Sequence, residues 1–249
     1  MKIGFLITAR MKSTRLPKKI TLEIGGRQII RLMIDRLKLN TITDNIVICT
    51  STNPQDDILQ EIAIEENIKY FRGSEEDVIQ RLYAAAKFHN FDYVLNITAD
   101  CPLVAISYID IIVKKYKQTN ADYITCEKLP HGFYLNGMRI DALKKVCEIK
   151  KGQNTEVWGR YFTDTGYFNV VELDVPAELQ RPDYRLTLDY QEDYLFFQKV
   201  FEHFGEKTIE KDVHEILEYL DANPDVVDIN KHCEELYLIN IAKQDNIEI

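Results

Sequence analysis

The densest chemistry in this chain lies near its start. Residues 9 to 19 read Ala9-Arg10-Met11-Lys12-Ser13-Thr14-Arg15-Leu16-Pro17-Lys18-Lys19 and hold five cations. The first acid is Glu23, so residues 1–22 carry six positive charges and no negative ones. The chain has 31 Lys and Arg against 40 Asp and Glu, so the other 25 cations sit among all 40 acids. An ordinary solvated loop would mix in acids, as the rest of the chain does. Arginine grips phosphate oxygens through paired N–H donors, and lysine adds a point charge. Ser13 and Thr14 add hydroxyls and backbone N–H donors. The loop therefore suits a polyphosphate.

Carboxylates supply the second kind of chemistry. Asp100 follows an uncharged apolar run and precedes Pro102. A hard carboxylate there suits Mg2+, which takes one or two protein carboxylates plus phosphate oxygens and water. Capping a turn is its plainer role. Asp189 is the natural second carboxylate, with helix capping as its alternative. Glu192 and Asp193 fit the first turn of the following helix, where acids meet the helix dipole. His131 sits in a Pro-His-Gly turn and reads as a plain loop residue or as an acceptor contact, with a catalytic base as the bolder role. Arg185 precedes Asp189 on one strand-like run, as an anion contact or as a neutraliser of its neighbours. No Ser-His-Asp or Cys-His arrangement stands out, and Gly25-Gly26 is a turn signal rather than a dinucleotide fingerprint.

These side chains need a scaffold. Lys2–Thr8, Asn45–Thr50, Ile68–Phe71 and Tyr93–Thr98 read as strands. Helical patterns fall between them, at Gln28–Leu39, from Asn53-Pro54 with Ile58, Leu59 and Ile62 inward, and after Ser74 as N-cap with Val78, Ile79, Leu82 and Ala86 inward. Another helix runs from about Ser107 to Lys117. Alternating strand and helix signals predict a mainly parallel sheet with helices on both faces. A cationic loop leaving the C-terminal end of a parallel strand lies where open α/β sheets bind ligands.

The second half is less regular. Strands are expected at Ala121–Cys126, Phe133–Ile140 and Tyr167–Leu173, the last at an edge. Helices are expected at Asp141–Glu148 and Thr155–Thr163, then as two segments within 190–221 split near Gly205. Ile209, Val213, Ile216, Leu217 and Leu220 form the apolar stripe of the second. No Pro/Gly/Ser-rich linker appears, so residues 1–249 read as one domain with 190–249 as a C-terminal helical extension.

Composition narrows the function. The net charge is −9, which argues against general nucleic-acid binding. No run approaches a membrane span and no targeting signal is visible, so a cytoplasmic protein is expected. The five cysteines, odd in number and lacking a Cys-x-x-Cys pair, read as buried small hydrophobes.

The cationic loop resembles the N-terminal signature of the cytidylyltransferases, which include enzymes making CMP-activated acidic sugars such as sialic acid and Kdo. It looks nearest to the spore coat polysaccharide biosynthesis protein F family, whose usual pattern is Ala-Arg-Met-x-Ser-Thr-Arg-Leu-Pro-Gly-Lys. Lys12 and Lys18 stand where glycine is common. Three further stretches resemble that family's motifs in order: Phe71–Arg81, Asn96–Leu103 with Ala99 in place of Gly, and Arg185–Asp193. Pro130-His131-Gly132 and Asn223-Pro224 also match in place.

The resemblance implies a three-layer α/β/α fold, nucleotide-diphospho-sugar transferase-like (Rossmann-like), with a mixed, mainly parallel sheet. It implies transfer of CMP from CTP to an acidic sugar, phosphonate or sugar phosphate, with release of pyrophosphate, for polysaccharide or surface glycan biosynthesis. Ala9, Arg10, Ser13, Arg15, Lys19, Arg72 and Thr98 then bind nucleotide, with Arg72 at the base or ribose. Arg10, Lys19 and Asp100 are catalytic, Asp100 and Asp189 hold Mg2+, and His131 and Arg185 face the acceptor. The partners are CTP and a small anionic acceptor, without nucleic acid or membrane. A homodimer is expected because the aromatic-rich second half looks incompletely buried by one chain. The rival readings are a glycosyltransferase using a nucleotide sugar and a non-catalytic nucleotide-binding protein on the same fold.

Overall fold

The computed structural model describes residues 1–155, 157–244, 247 and 249. Strand β1 is Ile3–Thr8, followed by a small hairpin of β2 (Glu23–Ile24) and β3 (Arg27–Gln28) and helix α1 (Ile29–Leu37). Then come β4 (Ile46–Ser51), α2 (Asp57–Glu65), β5 (Lys69–Gly73), α3 (Val78–Phe88), β6 (Tyr93–Thr98) and α4 (Ser107–Thr119). The second half supplies β7 (Tyr123–Thr125), β8 (Asn136–Arg139), α5 (Ile140–Ile149), the short α6 (Arg160–Thr163) and β9 (Val170–Glu172). Four helices close the chain: α7 (Gln191–Phe204), α8 (Val213–Ala222), α9 (Pro224–Asp228) and α10 (Cys233–Gln244).

Seven strands form one sheet in the order β5-β4-β1-β6-β8-β7-β9. Only β8 runs antiparallel to its neighbours. The chain winds outward from β1 through β4 to β5, then crosses back to place β6 on the other side of β1. That reversal is the topological switch point, and its crevice opens at the strands' C-terminal ends. The register puts the loops there: Thr8 pairs with Thr98 at the last rung of β1 and β6. The cationic loop and Asp100 thus leave from adjacent points.

Successive strand residues point to opposite faces. Phe5 and Ile7 of β1 join one buried cluster with α1, α2, α4, α7 and α8, while Leu6 joins another with α3, α5 and Trp158. Both faces are covered, which explains the near-continuous apolar strands. The three-layer α/β/α architecture and its mainly parallel sheet are as the sequence predicts. Arg36 ties the C-terminal helices to this core. It is fully buried on α1 and donates to Val104 O at 2.7 Å and to Ile209 O and Lys211 O at 2.8 Å.

Several local expectations are corrected. Asp77, not Ser74, caps α3, accepting from Gln80 N at 3.1 Å, while Ser74 Oγ accepts from Asp77 N at 3.1 Å. The motif therefore uses both side chains in series, one to shape the turn and one to start the helix. Ile58 is exposed, because a 3-10 turn at Pro54–Asp56 rotates the start of α2 and leaves Leu59, Ile62 and Ala63 inward. Helix over Thr155–Thr163 shrinks to Arg160–Thr163, and Glu156 lies outside the described residues. Trp158, Tyr161 and Phe162 are buried within the chain against Tyr123, which removes the ground on which a dimer was expected. All five cysteines are free thiols, and Cys147 alone is only half-buried. Among the described residues no helix is long and apolar enough to cross a membrane.

Candidate active site

A cleft of about 340 Å3 opens over the switch point. Arg10, Lys12, Ser13, Arg15 and Lys19 line it from the loop after β1, and Thr98 and Asp100 from the end of β6. His131, Asp189 and Tyr237 complete its wall. Asp189 comes from the segment before α7, which is sewn to both neighbouring loops. Leu188 N donates to Asp100 O at 2.9 Å, and Leu186 N donates to His131 O at 2.7 Å. Gly132 permits this seam. Its φ is +100°, and a Cβ there would lie 2.0 Å from Leu186 O. Glycine adopts such a backbone without the steric cost other residues meet.

Two carboxylates converge on one cation at the centre. Lys19 Nζ donates to Asp100 Oδ2 and, at 2.9 Å, to Asp189 Oδ1. Thr98 Oγ1 donates to the other oxygen of Asp100. Arg15 Nη2 reaches Asp189 Oδ1 at 2.5 Å, and Arg185 Nη2 reaches Asp189 Oδ2 at 2.7 Å. Burial alone would raise the pKa of Asp189, but the charges of Lys19, Arg15 and Arg185 hold it well below the usual carboxylate range. Burial likewise pulls Lys19 down, yet Asp100 and Asp189 outweigh it and keep the ammonium above the ordinary lysine range. Asp189 stays ionised and Lys19 stays charged at neutral pH.

Arg185 is fully buried and serves this centre from behind. It bonds Asp193 Oδ1 through Nε at 3.0 Å and Glu234 Oε2 through Nη1 at 2.7 Å. Asp193 also accepts from the backbone of Asp189 at 2.8 Å and Tyr190 at 2.9 Å, which caps α7. The rings of Tyr190 and Tyr237 lie 5.8 and 5.2 Å from the guanidinium. Arg185 therefore sets the position of Asp189 and does not line the cleft.

Of the residues singled out in the sequence, Arg10, Ser13, Arg15, Lys19, Thr98, Asp100, His131 and Asp189 come together around one opening. Ala9 does not line it; it is buried, with its N–H on Cys49 O at 3.1 Å. Arg72 is turned to other work. It donates to Ser51 O and Asn53 O at 3.0 Å and pairs with Asp57 at 2.6 Å, bracing the turn before α2. Arg81 donates to Ser74 O and to Glu75 O from a buried position, rather than pairing with Asp77. Arg10 Nη1 meets the same Glu75 carbonyl at 2.8 Å, and Lys12 pairs with Glu76 at 3.2 Å, so the β5–α3 turn forms the facing rim. Lys18 is exposed and does not line the cleft; its φ is +57°.

Sequence reasoning placed α10 within the helical extension 190–249 but missed its part in the site. Its Glu234 pairs with His131 and Arg185, and its Tyr237, Asn240 and Ile241 line the cleft. The helix-forming run Cys233-Glu234-Glu235-Leu236-Tyr237-Leu238 was its only signal, because Leu236, Leu238 and Ile239 are exposed and blur the apolar stripe. A larger cavity, about 560 Å3, lies between the β2–β3 hairpin and α7. Among the described residues its one cation is Arg27, which is committed to Asp35 and Glu66, and Glu23, Glu202 and Glu206 surround it, so it offers a phosphate little.

The cytidylyltransferase profile matches residues 5–194, from β1 into α7, a span that takes in the loop, both carboxylates and the seam between them. The chain belongs to the cytidylyltransferase family. Similar proteins match it over nine-tenths or more of its length. The spore coat polysaccharide biosynthesis protein SpsF of Bacillus subtilis is 29% identical over 90% of this chain and 95% of its own. An uncharacterized protein of Methanocaldococcus jannaschii, MJ1063, is 32% identical over 94% of this chain and 97% of its own. The solved structure of a cytidylyltransferase from Leptospira borgpetersenii superposes with a TM-score of 0.83 at 32% identity, covering 91% of this chain and 97% of that one. The nucleotide-diphospho-sugar transferase-type fold is thereby established, and the cytidylyltransferase is a nucleotidyltransferase that uses CTP. The glycosyltransferase reading gives way to that membership.

Proposed function

We propose that this cytidylyltransferase moves CMP from CTP to a small anionic acceptor, an acidic sugar in first place and a phosphonate or sugar phosphate otherwise, releasing pyrophosphate for surface glycan synthesis. The single observation that carries the reading is the convergence of Arg15, Lys19, Asp100 and Asp189 in one cleft at the switch point.

The loop cations have the chemistry to hold the triphosphate. Arg10, Arg15 and Lys19 lie along one wall, where they can neutralise charge that builds on the phosphates as pyrophosphate departs. Ser13 and the backbone of the loop add neutral donors. Positioning the α-phosphorus against the acceptor oxygen is the rest of the task. Asp100 and Asp189 fit Mg2+ because two carboxylates already converge within reach of one cationic nitrogen. When bound, the ion polarises phosphate oxygens and lowers the barrier to displacement. Arg185 and Asp193 hold Asp189 at its station throughout.

A homodimer remains part of the reading, now supported by the exposed Leu236, Leu238 and Ile239 of α10 rather than by the aromatic cluster. Light scattering at micromolar concentration tests it, and a monomer removes it.

Pyrophosphate release tests the central claim. Four nucleoside triphosphates are to be screened against sugar acids, sugar phosphates and phosphonates with Mg2+. Release with CTP and a subset of acceptors is expected. Strong release with another nucleotide and none with CTP overturns the reading. Asp100→Asn should abolish release without unfolding the chain.

A further inference from the structure

His131 forms a pair with Glu234 that the triphosphate and the metal carboxylates leave unused. The turn Pro130-His131-Gly132 places the ring in the cleft wall. Its Nδ1 lies 3.0 Å from Glu234 Oε2 and 3.1 Å from Oε1. Glu234 is itself fixed, accepting from Arg185 Nη1 at 2.7 Å. The ring is clamped by Tyr134, stacked at 5.7 Å and 16°, and by Tyr237 at 4.8 Å. Among the described residues Nε2 makes no hydrogen bond.

We propose that His131, oriented by Glu234, is the general base that deprotonates a hydroxyl nucleophile of the acceptor. The proposal rests on the CMP-transfer reading given above. A carboxylate on Nδ1 selects the tautomer with its proton there and leaves the Nε2 lone pair available. A phosphate or phosphonate acceptor is already an anion and needs no base. A hydroxyl must lose its proton as it attacks.

The step balances. Nε2 takes the hydroxyl proton, giving an imidazolium that Glu234 stabilises. The acceptor oxygen forms a bond to the α-phosphorus of CTP. The bond from that phosphorus to the oxygen it shares with the β-phosphate breaks, and its electron pair leaves with pyrophosphate. Glu234 is a positioning residue here; His131 alone touches the acceptor.

The test pairs pyrophosphate release over hydroxyl sugar acids, sugar phosphates and phosphonates with calorimetric CTP binding. His131→Ala should lower the turnover number with a sugar acid by about 100-fold or more, the usual worth of a general base. CTP affinity should not change, and added imidazole should restore part of the rate. Glu234→Gln should lower the turnover number less, with the acceptor KM unchanged. Undiminished turnover in His131→Ala, or a loss that imidazole leaves untouched, overturns the assignment. If His131→Ala does not fold, His131→Asn and Glu234→Gln decide by the same loss of turnover at constant CTP affinity. Turnover confined to phosphates and phosphonates removes the base while leaving CMP transfer standing. No pyrophosphate with any acceptor removes both.

Discussion

Lys19 Nζ lies 2.9 Å from Asp189 Oδ1, and the same nitrogen holds Asp100. The ammonium thus sits between the two carboxylates proposed for the metal. A divalent ion held by the proposed pair would compete with Lys19 for that position, since unit charges 4 Å apart interact by about 4 kcal/mol at an effective dielectric of 20. On the proposed reading, a triphosphate would resolve the competition by drawing Lys19 and Arg15 outward. Lys19→Met should therefore bind Mn2+ without nucleotide at least about tenfold tighter, a change of only about 1.4 kcal/mol. Its turnover should fall. Calorimetric titration of the nucleotide-free protein measures both arms of the comparison, and no gain in affinity would mean that the acid pair is not a cation site.

The same charges set the acid stability. The carboxyl of Asp189 is depressed: burial raises it, but Lys19, Arg15 and Arg185 outweigh burial. Glu234 is depressed too, with burial opposed by its hydrogen bond and charge contacts to His131 and Arg185. Their stabilisation is full above the ordinary Asp and Glu values of about 3.9 and 4.3, and is lost as pH falls through the folded values. Lys19, raised, carries the opposite sign, full below about 10.4 and lost only as pH climbs through its folded value. Tm should stay level through neutral pH and fall below about pH 4. Asp189→Asn should lower stability at pH 7 by about 3–5 kcal/mol, the cost of breaking a buried pair from one side. It should also flatten the acid limb. A variant whose acid limb runs parallel to that of the unmodified chain would count against this assignment.

Much of this was readable in the sequence, for a physical reason. Buried parallel strands are apolar on both faces, so β1, β4 and β6 announce themselves, and the loops after β1 and β6 must lie at the sheet's C-terminal edge. Arg10, Arg15, Lys19 and Asp100 needed nothing more to be placed, whereas Asp189 arrives from the segment before α7, where the strand-like run 185–188 joins no strand of the sheet. Arg72 and Arg185 could not be decided from the sequence, because charge alone does not say whether a guanidinium faces a ligand or braces its neighbours. Backbone carbonyls claim Arg72, and three acids claim Arg185. The extension 190–249 was read as helical, but the part α10 plays in the site was not legible, because Tyr237, Asn240 and Ile241 face a polar cleft rather than a core and Glu234 pairs with His131. Periodicity detects burial against apolar surface, and this helix has little of it.

Lys12 and Arg15 share a loop but not a role. Lys12 is exposed and held by Glu76 and Glu75 across the cleft mouth, and these acids raise its pKa. Exposed pairs of this kind contribute little to stability. Lys12→Ala should leave Tm unchanged and CTP affinity only slightly lower. Arg15→Ala should weaken CTP by about tenfold or more, because a hydrogen bond to a charged group is worth about 1.5–3 kcal/mol. Calorimetry on the two variants side by side separates them, and equal losses would make Lys12 a full member of the grip.

Lys18 tests the loop's backbone rather than its charge. It stands where the resembled pattern carries glycine, and its φ of 57° and ψ of 24° explain that preference. The left-handed region costs a non-glycine residue roughly 1–2 kcal/mol. Glycine would relieve that cost but lose more conformational freedom on folding, an offset of about 0.4–1 kcal/mol. Lys18→Gly should therefore leave stability unchanged or raise it, by no more than about 1.6 kcal/mol. Lys18→Val should lower it, since a branched Cβ is the worst fit for this conformation. Because Lys18 does not line the cleft, neither change should alter CTP affinity beyond what the loop's order requires. Denaturant melts of both variants read the backbone effect directly. A loss of stability in Lys18→Gly would show that the lysine side chain, not the turn geometry, holds the loop after β1 in place.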